Sequence, residues 1–296
     1  MIWADYLTSY KNFLKLEKSL SANTIEAYMD DIQKFIDFVQ SDSPLSVTTN
    51  DILLFLDDLN ETQNMSVRSQ ARILSGIKSF FRYLSLHDII EHDPSEMVET
   101  PRLNRKLPTV LTPEEVNELI EAVDLDNEIG YRNRAILETL YGCGLRVSEL
   151  INLRLTDLHF DESYVRIKGK GSKERLVPIG RYVKDAITLY IHNYRNSLDI
   201  KRKDENILFL NHYGRKLTRV MIFTIIKDLA AKIGLKKPIS PHKFRHSFAT
   251  QLIDAGADLK AIQEMLGHTS ITTTELYTHI DREYLRDTIM RFHPRS

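Results

Sequence analysis

Between residues 94 and 110 the sequence PSEMVETPRLNRKLPTV carries prolines at positions 94, 101 and 108. Proline fixes φ and withholds a backbone donor, so neither a helix nor a central strand runs through such a stretch. The chain therefore folds as two bodies joined here, as a length of 296 residues also suggests. The charge changes sign across the same stretch. Residues 1–100 hold 8 Lys and Arg against 16 Asp and Glu, and the remainder holds 32 against 25. The overall net charge of −1 conceals an acidic first part and a basic second part, the latter better suited to a polyanion. Arg102, Arg105 and Lys106 make the stretch over 101–110 a basic linker, expected to lie along that polyanion. The expected units are 1–100 and 111–296.

The first hundred residues read as four helices. Leu7, Tyr10, Phe13 and Leu14 recur at helical spacing between Trp3 and Lys18. Ser21 to Thr24 supply caps for a second helix through Val39, Pro44 breaks the chain, and Thr49-Asn50-Asp51 opens a third through Leu59. The fourth spans about 66–86. At 100° per residue, Ile73, Leu74, Ile77, Phe80, Phe81 and Leu84 share its core face. Arg68, Arg72, Lys78 and Arg82 fall on the opposite face. An ordinary solvated face is the plain alternative. In a unit otherwise short of cations, four on one stripe point instead to a surface that tracks phosphates.

The second unit opens on a capping box, Thr112-Pro113-Glu114-Glu115. Helices are expected at about 113–124, 130–141 and 146–152. The period then changes to alternation over 157–160, 164–168 and 174–179, which predicts a small three-stranded antiparallel sheet. Further helices are expected near 181–197, 217–233, 241–255, 258–266 and 281–291. The fold class is mainly α, with this one small sheet inside the second helical unit.

Composition excludes several functions. A single cysteine, Cys143 between two glycines, rules out a disulfide framework or a cysteine zinc site and fits a packed residue in a reducing compartment. No apolar run approaches the roughly 20 residues that span a bilayer, and the N-terminus lacks the pattern of a signal peptide. A cytoplasmic protein with no membrane partner is expected.

Chemistry concentrates between Ser240 and His279, SPHKFRHSFATQLIDAGADLKAIQEMLGHTSITTTELYTH. His242 and Arg245 lie three apart on a helix after Pro241, so they share a face, and His246, four beyond His242, can join them. Zinc binding by His242 and His246 is disfavoured: Lys243 stands where a glutamate base is needed, and Arg245 repels a cation. Guanidinium forks match phosphate oxygens, and a second arginine, Arg146, starts a helix after Gly142-Cys143-Gly144. Lys170 sits in a tight Gly-Lys-Gly turn between two strands, His268 follows a C-terminal Leu266-Gly267, and Tyr277 comes nine residues later. Singly, each is more often a surface charge or a packed tyrosine. Jointly they suit one reaction: arginines stabilise a phosphorane-like transition state, a phenol attacks, and a lysine protonates the leaving oxygen, with no metal or other cofactor.

Gly144-Leu145-Arg146-Val147-Ser148-Glu149-Leu150, Gly169-Lys170-Gly171, Ser240-Pro241-His242 through Thr250, Leu266-Gly267-His268 and Tyr277-Thr278-His279 resemble the tyrosine recombinases of the phage integrase family, Xer subfamily. The likeness covers nearly the whole chain, including Phe292-His293-Pro294-Arg295. Leu16-Glu17-Lys18-Ser19-Leu20 and Gly256-Ala257-Asp258-Leu259 lean to its XerD-like branch. The resemblance implies a SAM-like, four-helix core-binding domain ahead of the catalytic domain, the two forming a clamp on duplex DNA. It implies Tyr277 as the nucleophile of a 3′-phosphotyrosyl link, Arg146 and Arg245 as the phosphate clamp, and Lys170 as the general acid. His242 and His268 assist at the phosphate, whereas His246 and His279 are structural. It further implies a Holliday-junction intermediate and a heterotetramer with a partner Xer-type recombinase, or a homotetramer, on two recombination sites. The final helix would pack into a neighbouring protomer, or else within its own chain. A DNA translocase of the FtsK type would activate the reaction, whose role would be resolving chromosome dimers at cell division. A mobile-element integrase of the same chemistry is the alternative, less expected because no arm-binding domain precedes Trp3.

Overall fold

The computed structural model describes residues 2–101, 110–169, 173–267 and 279–296, with the backbone alone for 279–282. The chain divides into two compact units, Met1–Leu107 and Pro108–Ser296.

The first unit holds α1 (Trp3–Leu16), α2 (Ala22–Val39), α3 (Thr49–Glu61) and α4 (Val67–Leu86). Small polar side chains start three of these helices. Ser21 accepts from the Thr24 N–H, Thr48 and Asp51 form a capping box, and Ser66 accepts from the Ser69 N–H. Gln40, in the left-handed region, ends α2, and a 3-10 turn at Pro44–Ser46 fills the break. The core is aromatic. Phe35 meets Phe55 edge-on at 5.3 Å, and Tyr10 meets Phe80 in the same manner at 5.3 Å. All six residues of the expected core face of α4 are buried.

The second unit begins with α5 (Pro113–Glu121), α6 (Glu128–Gly142) and the single turn α7 (Val147–Leu150). Strands β1 (Leu158–His159), β2 (Tyr164–Lys168) and β3 (Glu174–Pro178) form an antiparallel sheet in that order. Five helices follow: α8 (Arg181–Asn193), α9 (Arg219–Lys232), α10 (Pro241–Asp254), α11 (Leu259–Leu266) and α12 (His279–Phe292). α6 lies at the centre and its second half is buried all round, with Ile136, Leu137, Leu140 and Tyr141 fully inaccessible and Glu138 and Thr139 buried among them. In the sheet, Val165 pairs with Val177 and Ile167 with Arg175, and all four are buried, so one inward-facing register position carries an arginine.

Two stretches depart from the sequence expectations. The helix expected over 181–197 stops at Asn193, and a 3-10 turn covers Arg195–Ser197. The stretch between α8 and α9 had no expected element up to residue 217. It is held by backbone bridges, Arg154 to Ile207 and Leu210 to Lys216, and by a buried guanidinium. Arg195 donates Nη2 to the Ile207 carbonyl at 2.8 Å and Nε to the Leu208 carbonyl at 3.2 Å, satisfying acceptors that no regular element serves.

The last helix packs on its own chain. Leu285 and Ile289 bury against Phe248, Leu252, Ile262 and Met265. Beyond it, Arg295 donates Nε to Glu138 at 2.8 Å and Nη1 to Asn117 at 2.7 Å, and lies 4.3 Å from the Tyr182 ring centre. His293 is buried beside Tyr141, and burial brings its imidazole down to about 4, so it stays neutral. Among the described residues no helix is long and apolar enough to cross a membrane.

Candidate active site and DNA-facing surface

The site starts from a glycine. Gly144 has φ of +56°, and a Cβ there would lie 2.6 Å from Cδ1 of Phe248, so only glycine fits between α6 and α7. The turn sets Arg146 at the N-cap of α7. Its backbone N–H donates to Oε2 of Glu149 at 2.9 Å, and its Nη1 donates to Oε1 of the same carboxylate at 2.8 Å. The Arg146 side chain remains 41% exposed, leaving donors for a ligand.

Glu149 is the hub. Arg175, from the inward face of β3, donates Nη1 to Oε1 at 2.9 Å and Nη2 to Oε2 at 2.8 Å. Its Nε donates to the Met265 carbonyl at 2.6 Å, tying the sheet to the end of α11. Arg245, buried on α10, donates Nη1 to the Gly144 carbonyl at 2.8 Å and Nη2 to the Leu266 carbonyl, with Nη1 3.9 Å from Glu149 Oε2. Three guanidiniums thus surround one carboxylate, a formal excess of two positive charges, and one of the three, Arg146, is half-exposed. Burial pushes the Glu149 carboxyl upward, but the hydrogen bonds and charges of Arg175 and Arg146 outweigh it and hold the group below its ordinary value. Burial, together with the like charges of Arg146 and Arg175, brings Arg245 down to about 10 against the pull of Glu149, so it remains a cation at neutral pH.

Of the six residues expected to carry the chemistry, the structure brings Arg146 and Arg245 to this cluster. His242 lies exposed near the start of α10, on the helix that buries Arg245, and its ring stacks on that of His246 with centroids 5.1 Å apart. Burial, and then the positive surroundings of His242, Lys243 and Arg245, lower the His246 imidazole. Lys170, His268 and Tyr277 lie outside the described residues. The described neighbours of Lys170 and His268 in sequence border the cluster. A Cβ on Gly169 would lie 3.9 Å from Glu149 Oε1, and one on Gly267, which ends α11 at φ +64°, would lie 3.0 Å from Cδ of Arg175.

Sequence reasoning passed over Glu149 and Arg175. The signal for Arg175 was present: it alternates in phase with Val177, and a charge in a buried register needs a buried partner. Glu149 has only its spacing of three from Arg146 to mark it.

On the first unit, Arg68 and Arg82 are exposed on the outer face of α4. Arg72 donates Nη1 to Oδ2 of the buried Asp31 at 2.5 Å, and Lys78 reaches the Glu96 carbonyl at 3.5 Å. Arg102, Arg105 and Lys106 of the linker lie outside the described residues.

Comparison with known proteins identifies the family. Residues 109–283 match the phage integrase family, and residues 7–87 match the phage integrase N-terminal SAM-like domain. The tyrosine recombinase XerD of Listeria innocua serovar 6a is 39% identical over 296 residues, covering 99% of each chain. That of Oceanobacillus iheyensis is 41% identical over 294 residues, covering 98% of each. Among solved structures, a lambda integrase tetramer bound to a Holliday junction shares the fold with a TM-score of 0.72, at 17% identity over 94% of this chain and 80% of that one. An N-terminal SAM-like helical unit, a mainly helical second unit with one small sheet, and near-complete matches to XerD proteins lead to one assignment: the chain is a tyrosine recombinase of the phage integrase family, with a catalytic recombinase domain.

Proposed function

We propose that this recombinase cuts and rejoins duplex DNA at a specific site, using Tyr277 as nucleophile. The observation that carries the proposal is the cluster of three guanidiniums on Glu149, which holds a preorganised positive field behind the half-exposed side chain of Arg146. The Tyr277 oxygen attacks phosphorus and passes its proton to an imidazole of the site, His242 or His268. The P–O5′ bond breaks as the 3′-phosphotyrosyl bond forms, and Lys170 donates a proton to the departing 5′ oxygen. Arg146 and Arg245 neutralise the charge that grows on the non-bridging oxygens, and His242 and His268 bond to the phosphate and assist the proton transfers. Rejoining is the reverse, with a 5′-hydroxyl from the partner strand as the attacking group.

The same proposal covers the biological setting. Near-complete matches to XerD proteins support a role in resolving chromosome dimers through a Holliday junction. Four protomers on two sites, with a related Xer-type recombinase and a DNA translocase of the FtsK type as activator, follow from that role. So does a cytoplasmic location, which suits the buried Cys143, whose thiol burial pushes up to about 12.

Tyr277→Phe tests the chemistry. On a nicked suicide duplex, the variant should bind as the parent does and form no covalent protein–DNA adduct. An undiminished adduct would show that another residue is the nucleophile.

A further inference from the structure

The packing of α2 against α4 contains an arrangement that a helical core does not need. Asp31 on α2 is fully buried, and one of its oxygens, Oδ1, has no hydrogen-bond partner. Its other oxygen takes a single charged bond, from Nη1 of Arg72 at 2.5 Å, and that arginine is 50% exposed. The carboxylate fits because position 76 is glycine: a Cβ there would lie 3.1 Å from Asp31 Cβ and 3.2 Å from Oδ2. A glycine inside a helix costs about 1 kcal/mol against alanine. An under-satisfied buried carboxylate costs more. Two unfavourable choices therefore meet beneath one arginine of the outer stripe of α4.

We infer that Asp31 is a positioning residue for Arg72, a buried backstop that holds the guanidinium rigid so that its outward donors meet the phosphate backbone of duplex DNA. The inference rests on reading the stripe of α4 as a DNA-facing surface. One donor is fixed inward and the exposed half of the group faces solvent, so the ordering entropy of a long side chain is lost on folding and not on binding. Burial raises the Asp31 carboxyl, with Arg72 opposing most strongly and then Lys34; Asp30 adds to the rise. Arg72 comes from α4, and Lys34 and Asp30 from Asp31's own helix. Ionisation of Asp31 therefore does not favour the folded state, and a purely structural carboxylate would serve poorly here.

The test is binding of a generic linear duplex by the full chain, measured across salt concentrations for the parent, Arg72→Ala, Asp31→Asn and the double variant, with melting followed in parallel. Arg72→Ala should weaken binding about tenfold and lower the salt slope by about one. Asp31→Asn should weaken it about three- to tenfold, as expected for an un-immobilised side chain, with the melting temperature moved by no more than a few degrees either way, and should add nothing to Arg72→Ala. As pH falls through the raised value of Asp31, the advantage of the parent over Arg72→Ala should shrink, a readout that does not depend on the Asn variant folding. Normal binding by Asp31→Asn with weak binding by Arg72→Ala would overturn the positioning role and leave the stripe standing. An equal further loss in the double variant would show that Asp31 acts through the fold. Unchanged binding by Arg72→Ala would remove the stripe at this position and the inference with it.

Discussion

Each unit buries a carboxylate beside arginine, and the two carboxylates behave in opposite ways. Asp31 receives one guanidinium bond, keeps an oxygen unpartnered, and is raised. Glu149 receives four donors, two from Arg175 and two from Arg146, and is lowered. Depth of burial does not separate them, since both are nearly or fully inaccessible. The number of satisfied lone pairs does. A carboxylate whose oxygens are filled by charged and backbone donors recovers its desolvation cost, and one held by a single bond does not. Glu149 is thus a structural keystone that also aims arginines, whereas Asp31 has little stabilising value.

The comparison breaks first at Glu149. Glu149→Ala would leave Arg175 and Arg245 buried without a countercharge, and should destabilise the second unit by about 3–5 kcal/mol in urea unfolding. A loss below about 1 kcal/mol would remove the keystone role. Gly144→Ala should come next, at about 1–3 kcal/mol, because the new Cβ meets Phe248 and the backbone is left-handed there. Differential scanning calorimetry would read it directly.

The pH dependences should have opposite signs. Glu149 has a depressed folded pKa, so its contribution is present above the unfolded value of about 4.3 and is lost as pH falls through the lower folded value. Asp31 has a raised folded pKa, so its ionised form weighs against folding above that value, and the penalty fades as pH falls toward about 3.9. Parent-minus-variant unfolding energies for Glu149→Gln and Asp31→Asn between acid and neutral pH should slope in opposite directions. Parallel slopes would mean that both groups feel burial alone. The smallest effect expected is that of Asp31→Asn at neutral pH, under about 1 kcal/mol in either direction, because a neutral amide replaces a poorly satisfied charge.

Where residues repeat with a period, the fold could be read directly. The apolar face of α4, the capping box at Thr112, and the strands at 164–168 and 174–178 all follow from spacing and cap chemistry, whereas the cap of α3 sits at Thr48, one residue before the expected start. The stretch before α9 could not, because Arg195 organises it by donating to carbonyls, and such bonds leave no periodic mark. The site divides in the same way. Arg146 and Arg245 stand in recognisable motifs and meet in space. Glu149 and Arg175 join them through pairings 26 residues apart that no local pattern announces. Lys170, His268 and Tyr277 stand out by residue type and position beside the two arginines, and the resemblance supplies the roles proposed for them.

The central claim is that guanidiniums gathered on Glu149 stabilise the phosphoryl transition state. Arg146→Ala tests it most directly, because this side chain is half-exposed and bonds to no residue but Glu149 among the described contacts. Single-turnover cleavage of a nicked suicide duplex, at saturating protein, should fall about a hundredfold or more, as on losing one oxyanion donor, while melting temperature and duplex binding stay close to the parent's. A cleavage rate equal to the parent's would contradict the claim.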